Sequence, residues 1–307
     1  MALKHEAGLV IAIFGPTASG KTAVAEALTA RIPAELVSAD SMQAYAGLPL
    51  LTNQSEHPAR LVGIWPLDHE GSVGEYQRLA HAAVDEVLAA GHTPIVVGGT
   101  GLYLRAALAE LEIPPEPPPG SRQRWEETYL RLGPQRAHAL LAERDPGAAA
   151  GVHANDARRV VRALELHETG SSLRPEQSRL WTEETRHPTL VIGLEVPRDV
   201  LHERIAARTR AMFEHGVEEE VRRALAQPLA ATARQIMGLR AIAELTREDA
   251  VAELERQTRR YAAYQRKWLR RVPGAATLRA DRPPGEVADE ILEVARARQR
   301  LPARRAG

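Results

Sequence analysis

Gly15-Pro16-Thr17-Ala18-Ser19-Gly20-Lys21-Thr22 follows the apolar run Leu9-Val10-Ile11-Ala12-Ile13-Phe14 and leads into an Ala- and Leu-rich segment, Ala23 to Ala30. Strand, glycine loop and helix in that order are the setting in which G-x-x-x-x-G-K-[ST] cradles a phosphate. The loop N–H groups and the helix N-terminus face an anion. Lys21 adds a positive charge, and the Thr22 hydroxyl is placed to ligate Mg²⁺. All eight residues, Gly15, Pro16, Thr17, Ala18, Ser19, Gly20, Lys21 and Thr22, are therefore expected to hold a phosphate or diphosphate. The plainer alternative is an ordinary strand-to-helix turn. The rest of the ligand is left to the downstream motifs.

The alternation continues outward from the loop. Glu35-Leu36-Val37-Ser38 reads as a second strand, and Ser72-Val73-Gly74-Glu75 has capping-box spacing and opens a helix to about Ala90. Thr93-Pro94-Ile95-Val96-Val97 is a third strand by its β-branched content, and Gly98-Gly99-Thr100-Gly101 turns it into another helix. Repeated strand–helix alternation predicts an α/β fold, a P-loop NTPase-like parallel sheet with helices on both faces. Functional residues then belong at the carboxyl ends of the strands, where Asp40 and Thr100 fall. The proline-rich stretch Ile113 to Gly120 breaks the pattern, because proline is stiff and donates no ladder hydrogen bond. Residues 121–187 read as helices only, and the strand signal returns at Thr189-Leu190-Val191-Ile192-Gly193-Leu194. This predicts a core in two parts, 1–112 and 189–307, with an all-helical insertion at 113–188. Helices fill 198–271 and 286–299, and the basic tail from Arg296 to Gly307 is expected to fray.

The chain has 307 residues with 40 Lys and Arg against 40 Asp and Glu, so any nucleic-acid contact must come from local clustering. The absence of cysteine excludes disulfides, thiolate zinc sites and cysteine catalysis, and fits a reducing compartment. The sequence carries neither a signal-peptide pattern nor an apolar run of membrane-spanning length. A cytoplasmic protein without membrane contact is expected.

Five further stretches carry chemistry. In Ser38-Ala39-Asp40-Ser41-Met42-Gln43-Ala44-Tyr45, Asp40 could ligate Mg²⁺ or accept a proton, or merely cap a helix. The strand before Gly98-Gly99-Thr100 ends without the carboxylate that helps hold Mg²⁺ in many nucleotide hydrolases, which argues against an ordinary NTPase. The glycine pair allows close backbone approach to a ligand, and Thr100 supplies a hydroxyl. In the stretch from His153 to Glu165, Arg158, Arg159 and Arg162 cluster within about a turn, as a polyanion contact or as a solvated charged face. The segment from Arg256 to Arg271 has seven basic residues and no acid. Its Tyr261, Tyr264 and Trp268 form one helical stripe read as core-facing, with an RNA-phosphate surface opposite. Between Arg204 and Met212 several arginines line a helix, and one could grip a diphosphate bidentately.

Taken together, GPTASGKT at 15–22, SADSMQAY at 38–45, VVGGTGLYLRAAL at 96–108, HANDARRVVRALEL at 153–166 and RQTRRYAAYQRKWLRR at 256–271 resemble the bacterial tRNA dimethylallyltransferase (tRNA isopentenyltransferase) family. The resemblance implies transfer of a dimethylallyl group from dimethylallyl diphosphate to N6 of adenine 37, next to the anticodon in tRNA. It implies a P-loop core with a helical insertion gripping the anticodon stem-loop and Mg²⁺ as cofactor with Thr22 as its ligand; a monomer is expected. The loop would hold diphosphate rather than ATP. Asp40 resembles the general base, and Asp40, Ser41, Met42 and Gln43 the adenine-binding stretch. Thr100 matches a residue at the reacting end of the channel, and Arg208 resembles a diphosphate-binding arginine. Arg122, Arg158, Arg159, Val160, Val161 and Arg162 match tRNA-contacting positions. The chain departs from the family pattern at 47–54, at 59–63 and at Gly238-Leu239. Rival readings are a small-molecule kinase, an isopentenyltransferase acting on free adenine nucleotides, and an RNA-binding protein with a dead site.

Overall fold

The computed structural model describes residues 8–114, 117–173, 180 and 182–300. Pro115 and Glu116 of the proline stretch, and 301–307 of the basic tail, lie outside the described residues. Six strands, β1 (Val10–Phe14), β2 (Ala34–Ser38), β3 (Ala59–Arg60), β4 (Thr93–Gly98), β5 (Thr189–Glu195) and β6 (Ala276–Arg279), form one sheet in the order β3-β2-β4-β1-β5-β6. Every pairing is parallel. β1 is buried along its whole length, which is why it reads as a continuous apolar run rather than an alternating one. Its Ile11 lies between Ile95 of β4 and Leu190 of β5.

The helices are α1 (Lys21–Thr29), α2 (Pro49–Thr52), α3 (Val73–Ala89) and α4 (Gly101–Leu108), then α5 (Ser121–Leu132), α6 (Pro134–Arg144), α7 (Pro146–Ala150) and α8 (Ala157–Glu168). After β5 come α9 (Arg198–Glu214), α10 (Val217–Leu225), α11 (Leu239–Glu244) and α12 (Arg247–Leu269), and after β6 the last, α13 (Pro284–Arg300). Leu28 of α1, Ile205 of α9 and Val287 and Ile291 of α13 pack with Ile11, Ile95 and Leu190 in one core. Each such side chain contributes about 1.5–3 kcal/mol by leaving water.

Ser72 caps α3 as its spacing predicts, its Oγ accepting from Glu75 N at 3.1 Å. The Glu75 carboxylate does not return the bond. It accepts from Trp65 Nε1 at 3.3 Å and meets His69 Nε2 at 2.7 Å. β3 and β6 were not foreseen. Two and four residues are too short for a periodicity signal, and pairing to β2 and β5 defines them.

The chain divides into two compact units, Met1–Glu110 with Glu183–Gly307, and Leu111–Thr182. Residues 183–188, expected in the insertion, belong to the sheet unit. Arg186 N donates to the Leu108 carbonyl at 2.8 Å, and its guanidinium pairs with Asp85 at 2.9 Å. The second unit is helical, α5–α8, around Trp125, Tyr129, Leu141, Val160, Val161 and Leu164.

Candidate active site

Between β1 and α1 the chain wraps the loop foreseen from the octapeptide. Ser19 N donates to the Pro16 carbonyl at 3.2 Å, with Ala18 at φ 62 and Gly20 at φ 88. A left-handed alanine costs about 1–2 kcal/mol, strain that the surrounding fold sustains. Lys21 Nζ donates to the Pro16 carbonyl at 2.8 Å. Burial lowers the Lys21 ammonium from 10.5 to about 8, Asp40 opposes that shift, and Arg208 adds to it. The Ser19 hydroxyl is buried and has no partner among the described residues.

β2 delivers Asp40 beside the loop. Turns follow it rather than a helix, so the capping alternative falls away. Asp40 Oδ1 instead accepts from Met42 N at 3.0 Å, an Asx-turn that fixes the carboxylate. Burial first pushes the hydroxyls of Tyr76 and Tyr261 up, followed by Tyr103 and then Asp40 at Tyr76 and by Asp40 at Tyr261. Gln43 is locked in place. Its Oε1 accepts from Ser38 Oγ at 3.0 Å, and its Nε2 donates to the carbonyls of Thr52 and Asn53 at 3.3 and 3.0 Å. The altered stretch 47–54 thus forms the seat of Gln43. Buried Glu220 in turn accepts from Leu50 N and Leu51 N at the start of α2, at 2.9 and 2.8 Å.

β4 ends at the glycine pair, of which Gly98 lines the candidate active-site cleft and both residues are also closely packed by the chain. A Cβ on Gly98 would lie 2.1 Å from the Ala39 carbonyl oxygen, and one on Gly99 would lie 2.1 Å from Gln265 Nε2. These close approaches are to the chain itself. Thr100 Oγ1 lies 3.0 Å from the Tyr261 hydroxyl. From α9, Arg208 arrives with its Nε buried and without a partner among the described residues. Burial lowers its pKa, and Asp40 opposes this.

A cleft of about 460 Å³ gathers Lys21, Thr22, Asp40, Met42, Gln43 and Arg208. Tyr261, Gln265, Arg204 and Arg282 also line it, while Gly15, Pro16, Ser41 and Thr100 do not. Thr100 is linked to the cleft through Tyr261. Among the described residues no group of three or more His, Cys, Asp and Glu side chains could hold a metal. Tyr261 and Gln265 are the site residues that sequence reasoning missed. Their signal is slight: an uncharged Gln inside a run of basic residues.

The polyanion candidates separate. Val160 and Val161, expected at the tRNA contact, are 0% and 3% exposed and pack in the helical core, so any contact by 158–162 falls to the arginines. Arg158 and Arg159 are exposed. Arg122 and Arg162 close on the fully buried Glu165, at 2.9 and 3.3 Å. On α12, Glu253 and Glu255 lie one turn before Arg256 and Arg259 and pair with them at 2.6 and 2.7 Å. The aromatic stripe also splits, since Tyr264 is 54% exposed while Thr258, Ala262, Gln265 and Leu269 form the buried face. Among the described residues no helix is long and apolar enough to cross a membrane.

A model of the IPP transferase family matches residues 42–272, and one of isopentenyl transferase matches 8–61. The chain is 42% identical over 302 residues to the tRNA dimethylallyltransferase of Salinispora arenicola, covering 94% of this chain and 87% of that one. It is 43% identical over 278 residues to that of Streptomyces coelicolor, covering 86% and 88%. Among solved structures, the tRNA isopentenylpyrophosphate transferase of Bacillus halodurans is 29% identical with a TM-score of 0.66, over 96% of this chain and 100% of that one. A eukaryotic dimethylallyltransferase acting on tRNA shares the fold at a TM-score of 0.78 and 23% identity, over 98% of this chain and 82% of its own.

Proposed function

The chain belongs to the IPP transferase family and is a tRNA-prenylating enzyme, and we propose that it transfers the dimethylallyl group of dimethylallyl diphosphate to N6 of adenine 37, beside the anticodon. The observation that carries this reading is one cleft that brings Asp40 together with Lys21, Thr22 and Arg208. The N6 amine is a weak nucleophile. As its nitrogen bonds the allylic carbon, the C–O bond to diphosphate breaks and negative charge grows on the leaving oxygens. Lys21, the unpartnered Arg208 Nε and the loop N–H groups stabilise that charge. Asp40, fixed by its bond from Met42 N, takes the N6 proton.

Mg²⁺ fits the donors present. It keeps several waters and binds through one or two protein oxygens plus substrate phosphates. The Thr22 hydroxyl would hold it, and it would supply charge on the diphosphate side. Adenine stacked in an anticodon loop cannot reach a cleft of this kind, so the base is flipped in, against Met42 and Gln43. The exposed Arg158 and Arg159 are the tRNA-phosphate contacts of the helical unit.

The test is incubation with Mg²⁺, dimethylallyl diphosphate and unmodified tRNA, followed by mass analysis of the nucleosides. N6-dimethylallyladenosine is expected among the nucleosides. Folded protein that yields none with several tRNAs would falsify the reading. Turnover of ATP with adenosine or other small acceptors would point to a kinase instead.

A further inference from the structure

The inner face of α12 touches the loops that follow two neighbouring strands, β1 and β4. Gln265 is 2% exposed. Its Oε1 accepts from Thr17 N, in the phosphate loop, at 2.7 Å, and its Nε2 donates to the Gly99 carbonyl, after β4, at 2.8 Å. One turn earlier, the Tyr261 hydroxyl lies 3.0 Å from Thr100 Oγ1. One turn later, Trp268 stands where a Cβ on Gly101 would come within 2.1 Å, and Leu269 stands 2.5 Å from a Cβ on Gly193 of β5. A single helix thus grips the carboxyl ends of β1, β4 and β5.

A carboxamide suits this place because it offers an acceptor and a donor on one short planar group. A leucine or methionine offers neither, and a carboxylate offers only acceptors. Gly99 has no Cβ because one would occupy the position of Gln265 Nε2.

We propose that Gln265 is a positioning residue, which sets the separation between the diphosphate loop and the Thr100 turn and so aligns the leaving group with the incoming amine. This rests on the function proposed above. A displacement of about 1 Å between reacting groups costs about 100-fold in rate. The separation is therefore a kinetic quantity as well as a packing one.

The experiment uses the full chain with Gln265→Met and Gln265→Glu, and reads kcat, KM for tRNA, affinity for inorganic diphosphate by calorimetry, and the melting midpoint. Gln265→Met is expected to lower kcat about 100-fold, with KM for tRNA within about threefold of wild type. Diphosphate affinity is expected to fall about 10-fold as the phosphate loop loses its anchor at Thr17 and is no longer held in its binding shape. Wild-type kcat in folded Gln265→Met, whatever its melting midpoint, overturns the proposal.

Gln265→Glu supplies the second reading if Gln265→Met does not fold. Protonated, its acid reproduces the acceptor to Thr17 N and the donor to the Gly99 carbonyl. Ionised, it sets a carboxylate oxygen against that carbonyl. The ratio of its kcat to wild type is expected to rise as pH falls from about 8.5 to about 6, because burial favours the neutral acid. Taking the ratio removes the titration of Lys21, Asp40, Arg208 and Tyr261 in the same cleft. A flat ratio near one overturns the proposal. A wild-type chain that binds diphosphate but does not alkylate tRNA would sink the proposed function instead. The positioning role would then stand or fall on the diphosphate affinity of Gln265→Met.

Discussion

In the sheet unit, Arg208 ends in the cleft with a buried and unpartnered Nε, and Lys21 donates to a carbonyl. In the helical unit, Arg122 and Arg162 both close on the buried carboxylate of Glu165. The first arrangement leaves hydrogen-bonding capacity unspent in a low-dielectric place, which costs stability unless an anion arrives. The second satisfies its cations internally and leaves Arg158 and Arg159 exposed for outside contacts. In this pair of sites the unsatisfied Arg208 faces the cleft, and the satisfied Arg122 and Arg162 hold the scaffold of the helical unit.

The sharpest way to test the contrast is Asp40→Asn. Loss of a general base costs about 10²–10⁴ in kcat. Removing a negative charge from beside Lys21 and Arg208 leaves diphosphate affinity intact or stronger. Equal losses in turnover and in diphosphate binding would refute the base assignment. Next in size is Arg208→Met, which deletes a charge-assisted donor aimed at the leaving group. Charged hydrogen bonds contribute about 1.5–3 kcal/mol, so affinity for inorganic diphosphate is expected to drop about 10- to 100-fold. An unchanged affinity by calorimetry would mean that the empty Nε is not an anion donor.

The helical unit should answer in the opposite sense. Glu165→Gln removes the carboxylate charge shared by two arginines that are each partly in water. The expected loss of folding stability is about 1–3 kcal/mol, read as a lower melting midpoint, below the penalty for a fully buried pair. Arg122 and Arg162 are released at the same time, so the steepness of RNA binding against salt should increase. A lower melting midpoint with an unchanged salt slope would break the idea that Glu165 withholds these arginines from phosphate.

The elements legible in the sequence are those whose signal is local. The phosphate loop needs only its glycines, Lys21 and Thr22 in order, and β1, β4 and β5 announce themselves as apolar runs. Asp40 was legible because it follows a strand. Gln265 was not, because its partners Thr17 and Gly99 are separated from it by 248 and 166 positions, and helical periodicity carries no trace of either bond. The packing role of the glycine pair was hidden for the same reason: Gly98 and Gly99 make room for Ala39 and Gln265, which only the folded chain brings near. Val160 and Val161 misled in the reverse direction. They share a motif with Arg158, Arg159 and Arg162, and helical geometry turns them inward.

Lys21 gives the smallest effect and the most direct comparison between the units. In the ligand-free chain, burial holds its pKa at about 8, well below 10.5. The lysine is therefore charged below about pH 8 and neutral above, a range over which a guanidinium in general keeps its charge. Diphosphate requires the charged form. Without Mg²⁺, affinity for inorganic diphosphate relative to Lys21→Arg, which keeps its charge and cancels the titration of diphosphate itself, should be level below about pH 8. It should then fall about 10-fold as the pH rises further. The stability sign is the reverse. Since the folded chain favours neutral Lys21, the unliganded protein gains stability between about pH 8 and 10.5 as the unfolded chain holds the extra proton. Asp40 raises the Lys21 value and Arg208 lowers it, so Asp40→Asn should move the fall in affinity to lower pH and Arg208→Met to higher pH. RNA binding through Arg158 and Arg159 should stay flat over the same range. A parallel fall in both would mean that the two units do not differ in the way their charges are held.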